Sequence, residues 1–283
     1  MTAEGTVAKP PSHVQTLTRL SLWALLLLAV ANGLFLYLLP DQAATHYAWS
    51  IRPPINAAFM GAGYLAGVVA GGLAILAASR WRSFRTLTPG FFALGVVMLA
   101  ATALHADRFF WTYPPTWAWT VVYVLVPPAA AWLWWRQERS AGPAPPADHG
   151  TMLVRWLAWP LGVLLVAIGV VLLVAPAAAA AVWPWPITPL LARAFAAWHL
   201  LIGGILVWGA ASFRQPNELP IPLLTIAAWS ALLLPLPLLY GDSVRSGSAA
   251  IWAWVALHAL LLVVSAAMAA RAVVALRAAG ERM

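Results

Sequence analysis

The sequence predicts an all-α integral membrane protein, with eight transmembrane helices arranged as two tandem, parallel four-helix repeats. Three observations carry that reading. First, 63% of the 283 residues are apolar and only 8% charged, with a mean hydropathy of +0.83. A soluble domain carries about 25% charge, so the apolar excess faces lipid. Second, eight apolar stretches each approach the roughly 20 residues that a helix needs to cross a bilayer core. Third, the chain resembles itself at a separation of 136 residues.

The stretches fall at 20–40, 55–79, 89–106, 117–135, 156–176, 190–212, 221–240 and 251–271. Unpaired backbone groups are costly in hydrocarbon, so such segments are helices. The period-2 alternation of a membrane barrel is missing. The first run is longer than the 7–15 residues of a signal-peptide core, which predicts a retained span. Pro127-Pro128, Pro160, and Pro235 with Pro237 predict kinks in the fourth, fifth and seventh spans.

At a shift of 136, Arg19 meets Arg155, Trp23 meets Trp159, Gly33 meets Gly169 and Pro40 meets Pro176. The same shift pairs Trp49 with Trp185, Pro53 with Pro189, Phe59 with Phe195 and Gly67 with Gly203. At 135, Asp107 meets Asp242, Trp117-Ala-Trp119 meets Trp252-Ala-Trp254, and Arg136 meets Arg271. Self-similarity of this kind marks a duplication. Four spans per copy make the copies parallel, related by an axis along the membrane normal. The organisation expected is a disordered tail at 1–16, repeats at 17–136 and 152–272, a Pro-rich linker at 137–151, and a second tail at 273–283.

With the N-terminus inside, Lys9 and Arg19, 80, 82, 85, 136, 139, 155, 214, 271, 277 and 282 are cytoplasmic. Only Arg52, Arg108, Arg193 and Arg245 lie outside. That bias places both termini in the cytoplasm. The net charge of +8 comes from scattered single residues, which speaks for topology and against nucleic acid. Absence of cysteine excludes disulfides and thiolate chemistry.

The segments Trp49-Ser-Ile-Arg-Pro-Pro, Leu104-His-Ala-Asp-Arg-Phe, Trp117-Ala-Trp with Val126-Pro-Pro, and Trp183-Pro-Trp-Pro-Ile-Thr-Pro resemble those of an uncharacterised family of bacterial multi-pass membrane proteins. The resemblance implies a bacterial inner membrane and a shared fold, and no activity.

Candidate functional residues gather toward the outer side: Arg52, Asn56, His105, Asp107, Arg193, His199, Asp242 and His258. Ionisable groups at membrane depth face a partner or a cavity. One expectation is an Asp–Arg clamp in each repeat, with Asp107 and Asp242 held by Arg52 or Arg193. The sharper one is an outer-leaflet polar vestibule that admits a small solute or lipid. Tryptophans 49, 117, 119, 185, 252 and 254 are expected in the interfacial belt. His105, His199 and His258 could hold haem or a metal, although HxxxH and CxxC spacings are lacking. Gly63, Gly67, Gly71 and Gly203 are helix-packing positions, inside the bundle or in a homodimer. The catalytic motifs GxSxG, HExxH, the P-loop and GxGxxG find no supporting context. The functional expectation is therefore a non-enzymatic binding or transport protein. The alternatives are an accessory subunit of a membrane complex and a haem or metal redox protein.

Overall fold

The computed structural model describes residues 14–78, 80–245 and 247–280. Most of the expected N-terminal tail therefore lies outside the described residues, and Thr16 already opens the first helix. The long helices are α1 (Thr16–Leu38), α2 (Pro54–Leu76), α3 (Leu87–Leu104), α4 (Pro114–Ser140), α5 (Met152–Val174), α7 (Pro189–Ser212), α8 (Pro220–Leu233) and α10 (Ala249–Ala278), with short α6 (Pro176–Val182) and α9 (Leu236–Leu239) between them. Eight helical segments are long and apolar enough to cross a membrane, α8 and α9 together forming the seventh. No strand occurs among the described residues, only an isolated bridge pairing Trp49 with Phe109.

The helices begin where the residue types dictate. Proline opens α2, α4, α6, α7 and α8, at a position whose N–H is unpaired in any helix. Thr188 and Ser248 cap α7 and α10 by accepting from the N–H groups of Leu191 and Ala250. Pro127, Pro128 and Pro160 are carried inside continuous helices, and Gly95 of α3 leaves room for the ring of Pro127. Only the seventh span is interrupted, at Leu234–Pro235. The fourth and eighth helices overrun their expected ends, so α4 consumes the start of the linker and α10 most of the C-terminal tail.

Helix pairing is regular. α1 packs on α2, α3 on α4, α5 on α7 and α8 on α10; α3 also packs on α7, and α2 on α8. The inner four, α2, α3, α7 and α8, are the more buried; α1, α4, α5 and α10 lie outside them. Outward side chains such as Leu27, Leu76, Trp156, Val174, Leu238, Val263 and Val274 are apolar and exposed, a surface suited to lipid. A main core fills the bundle. A satellite core of Val154, Phe213, Leu219, Leu223, Ala269 and Ala272 lies where α5, α8 and α10 meet.

The glycine ladder on α2 is used within the bundle. A Cβ on Gly63 would strike Trp198 of α7, while Gly67 and Gly71 face Ala29 and Leu26 of α1. Gly203 of α7 is tighter: a Cβ there would fall 2.8 Å from the Val166 nitrogen and 2.9 Å from the Gly162 carbonyl of α5.

The start of α1 and the end of α10 lie at one end of the bundle, the terminal end, where Gln15 before α1 bonds Ser140 at the end of α4. The opposite, far end holds the turns at Pro40–Ala44, Ala106–Arg108 and Gly241–Ser243 together with α6.

Candidate functional site

Three of the eight polar residues singled out in the sequence meet in the far half of the bundle. Asn56, in the first turn of α2, is fully buried. Its amide donates to the carbonyls of Arg52 (2.8 Å) and Pro186 (3.1 Å), and its oxygen accepts from Trp185 Nε1 (2.8 Å). One amide thus ties α2 to the loop before α7. Proline makes this possible, since the extended run Trp183-Pro-Trp-Pro leaves carbonyls free of helix bonding.

Beside this tie lies a cluster of rings. His199 of α7 stacks on Phe59 of α2 (6.0 Å between centroids) and meets Trp183 (5.8 Å) and Trp229 of α8 (5.6 Å) edge-on. Trp229 in turn touches His258 of α10 (5.3 Å), and His258 lies on Trp254 (4.1 Å), which contacts Trp185 (5.2 Å). Phe195 closes the group against Phe59 and Trp183. Both imidazoles are anchored alike: His199 Nδ1 bonds the Phe195 carbonyl and His258 Nδ1 the Trp254 carbonyl, each at 2.8 Å. With Nδ1 as donor, each Nε2 carries a lone pair.

The cluster holds more polar capacity than its own atoms satisfy. Nε1 of Trp183, Trp229 and Trp254, and Nε2 of His258, are buried without a hydrogen-bond partner. Leaving such an atom unpaired costs about 1–3 kcal/mol. Four such atoms, three donors and one acceptor, lie in this one contiguous cluster.

A second aromatic cluster, on the α1–α4 side, provides the contrast. Trp49, Trp119, Tyr47, Phe109 and Tyr123 pack together. Trp119 Nε1 donates to Thr102 Oγ1 (2.9 Å), the hydroxyls of Tyr64 and Tyr123 bond each other (2.7 Å), and Tyr47 donates to Asn32 (3.2 Å). Trp49 Nε1 is left unpaired there, as is Nε1 of Trp198, whose ring meets Tyr64 edge-on at 5.1 Å. At the corresponding shifts, Tyr123 and Gly63 become His258 and His199, and Thr102 becomes Pro237.

The remaining candidates stay at the far end. His105 caps α3, and its Nε2 accepts from Arg193 Nη1 at 2.7 Å. Burial and the neighbouring guanidinium hold the His105 pKa below its usual value of 6.5, which keeps the ring neutral and able to accept. Asp107 pairs with its neighbour Arg108 (3.0 Å), both exposed. Arg52 and Asp242 are exposed. The expected Asp–Arg clamps therefore do not form: His105 occupies Arg193, and Asp107 sits in a turn whose nearest cation is the next residue. His105 is also separated in role from His199 and His258, and no group of three or more His, Asp or Glu residues lies within reach of one metal ion among the described residues.

Of the tryptophans expected in the interfacial belt, Trp49, Trp119, Trp185 and Trp254 are buried among other side chains, whereas Trp117 and Trp252 are exposed. The spacing holds the signal: at 100° per residue, positions two apart point about 200° from each other, so Trp-Ala-Trp must place one ring in and one out. Sequence reasoning also missed a polar network at the terminal end. Glu138 of α4 accepts from Trp81 Nε1 (2.6 Å) and lies 3.7 Å from Arg85, whose other nitrogen donates to the Ser212 carbonyl (2.9 Å). Glu218, buried, accepts from the Arg214 backbone N–H (2.7 Å). In the sequence those arginines signal topology only.

Comparison with known proteins finds no matching family, no matching curated protein and no matching solved structure.

Proposed function

We propose that the protein is a non-enzymatic binding or transport protein of the bacterial inner membrane that takes a small, planar solute into the aromatic–histidine cluster of its outer half. The observation that carries this reading is the set of four unpartnered buried atoms, on Trp183, Trp229, Trp254 and His258. A solute with several hydrogen-bond acceptors and one donor complements three indole N–H groups and one imidazole lone pair, while the flat faces of the surrounding rings take up its apolar body.

Access is through the interrupted seventh span. Trp229 stands on α8 less than two turns before the break at Leu234–Pro235, where the backbone lacks continuous helical bonding and can hinge. The far-end groups Arg52, His105, Asp107, Arg193 and Asp242 form the polar rim of the vestibule.

We further propose that two parallel four-helix units build the bundle. The pairing supports this: first span on second, third on fourth, and the third span of each unit on the second span of the other. The excess of arginine at the terminal end supports a cytoplasmic location for both termini.

Benzamide offers both acceptor and donor on a planar ring, and toluene is its apolar control. Benzamide should raise the Tm of the purified protein and leave that of His258→Phe unchanged, while toluene acts weakly on both. A high-resolution density map showing all four atoms bonded to fixed waters, with no benzamide effect on Tm, overturns the reading.

A further inference from the structure

A recess at the terminal end, distant from the aromatic cluster, has a different chemistry. Its volume is about 330 Å³, and its walls come from the start of α5, the turn at Gln215–Leu219 and the last turns of α10. Small-molecule sites span about 300–1,000 Å³. The floor is apolar, since Val154, Leu219 and Ala272 belong to the satellite core and the half-buried Met268 packs against it.

Two charges of opposite sign line it, Asp148 and Arg271. Asp148 is held in place by its backbone: its N–H donates to the Arg214 carbonyl (2.7 Å), and Thr151 Oγ1 donates to its carbonyl (2.8 Å). One carboxylate oxygen accepts from the Gly150 N–H (2.6 Å), and the other makes no hydrogen bond among the described residues. Arg271 is exposed and makes neither an ion pair nor a side-chain hydrogen bond among the described residues. Its counterpart Arg136, 135 residues earlier, lies over the ring of Trp132 at 5.2 Å. The residue one turn before Arg271 is Ala267, so no ring covers this guanidinium.

We infer that this recess binds the headgroup of a zwitterionic aminophospholipid, with its phosphate on Arg271 and its ammonium on Asp148. The acyl chains then run along the apolar walls at Leu153 and Met268. An arginine matches phosphate as a charge-assisted fork, and a carboxylate on the same rim favours a headgroup that also carries N–H donors. A purely anionic headgroup meets repulsion from Asp148, and a choline headgroup has no N–H to offer it.

The test uses the delipidated full chain and native mass spectrometry, with phosphatidylethanolamine, phosphatidylglycerol and phosphatidylcholine of identical acyl chains, and with free glycerophosphoethanolamine. Phosphatidylethanolamine is expected to bind most tightly. Arg271→Gln should weaken it about tenfold or more, the scale of one charge-assisted hydrogen bond. Asp148→Asn should remove the preference over phosphatidylglycerol. Both side chains are exposed, so an unchanged Tm will accompany these losses. Equal binding of the three lipids, no effect of Arg271→Gln, or equal affinity for the free headgroup overturns the inference.

Discussion

At the scale of single residues, Asn56 is the most consequential polar group inside the bundle. It makes three hydrogen bonds, two of them reaching across to the loop before α7. Asn56→Leu keeps the volume and removes all three. Trp185 Nε1 is then left unpaired in the core, at a cost of about 1–3 kcal/mol, to be read as a lowered Tm of the purified protein. The residue 136 positions later is Ala192, fully buried, and Trp49, which corresponds to Trp185, has no partner for its indole nitrogen. Asn56 was legible in the sequence as a polar residue at a span entrance. Its partners were not, because they are a backbone carbonyl and an indole about 130 positions away.

At the scale of helices, the sequence placed the start of each span within about four residues, since length and apolarity are set by the bilayer, whereas α4 and α10 run on past their expected ends. Proline was harder to read. Three interior prolines left α4 and α5 unbroken, and one interrupted the seventh span. Beside Pro127 the facing helix carries Gly95, where a Cβ would fall 2.9 Å from the proline ring. Glycine shows the same dependence on the facing helix. Gly203→Ala should destabilise the protein by about 1–3 kcal/mol, because the added methyl meets the α5 backbone, which cannot move aside. Gly67→Ala should be nearly neutral, its Cβ lying 3.9 Å from Ala29. Thermal denaturation of the two variants in the same detergent separates them. Both glycines occupy equivalent places in the self-similar sequence, and only the structure tells them apart.

For the whole molecule, the arrangement of helices makes topology testable with few changes. The chain contains no cysteine, so single substitutions report directly. Ala144→Cys, in the exposed linker between α4 and α5, should react with a membrane-impermeant maleimide only after the cells are permeabilised. Gln42→Cys, exposed in the far-end turn, should react in intact cells. Reversed labelling would place the aromatic cluster in the inner leaflet and the Asp148–Arg271 recess outside. The candidate site was only partly visible beforehand: His199, His258 and Asn56 were picked out by charge and polarity, whereas Trp229, Phe59 and Phe195 looked like any other apolar residues of a span.

The amino-acid order alone settled what depends on contact with hydrocarbon: the helical class, eight helical segments long and apolar enough to cross a membrane, and the apolar outer surface. Hydrocarbon imposes those on any chain of this composition, because backbone polar groups must be satisfied within each segment. What the tertiary structure decided is which apolar face turns inward. A lipid-facing leucine and a core leucine have the same hydropathy, so periodicity carries little information about partners in such helices. The pairing of α2 with α8 and of α3 with α7, and with it the meeting of two histidines among tryptophans, follows from side-chain shape and a few hydrogen bonds between distant positions.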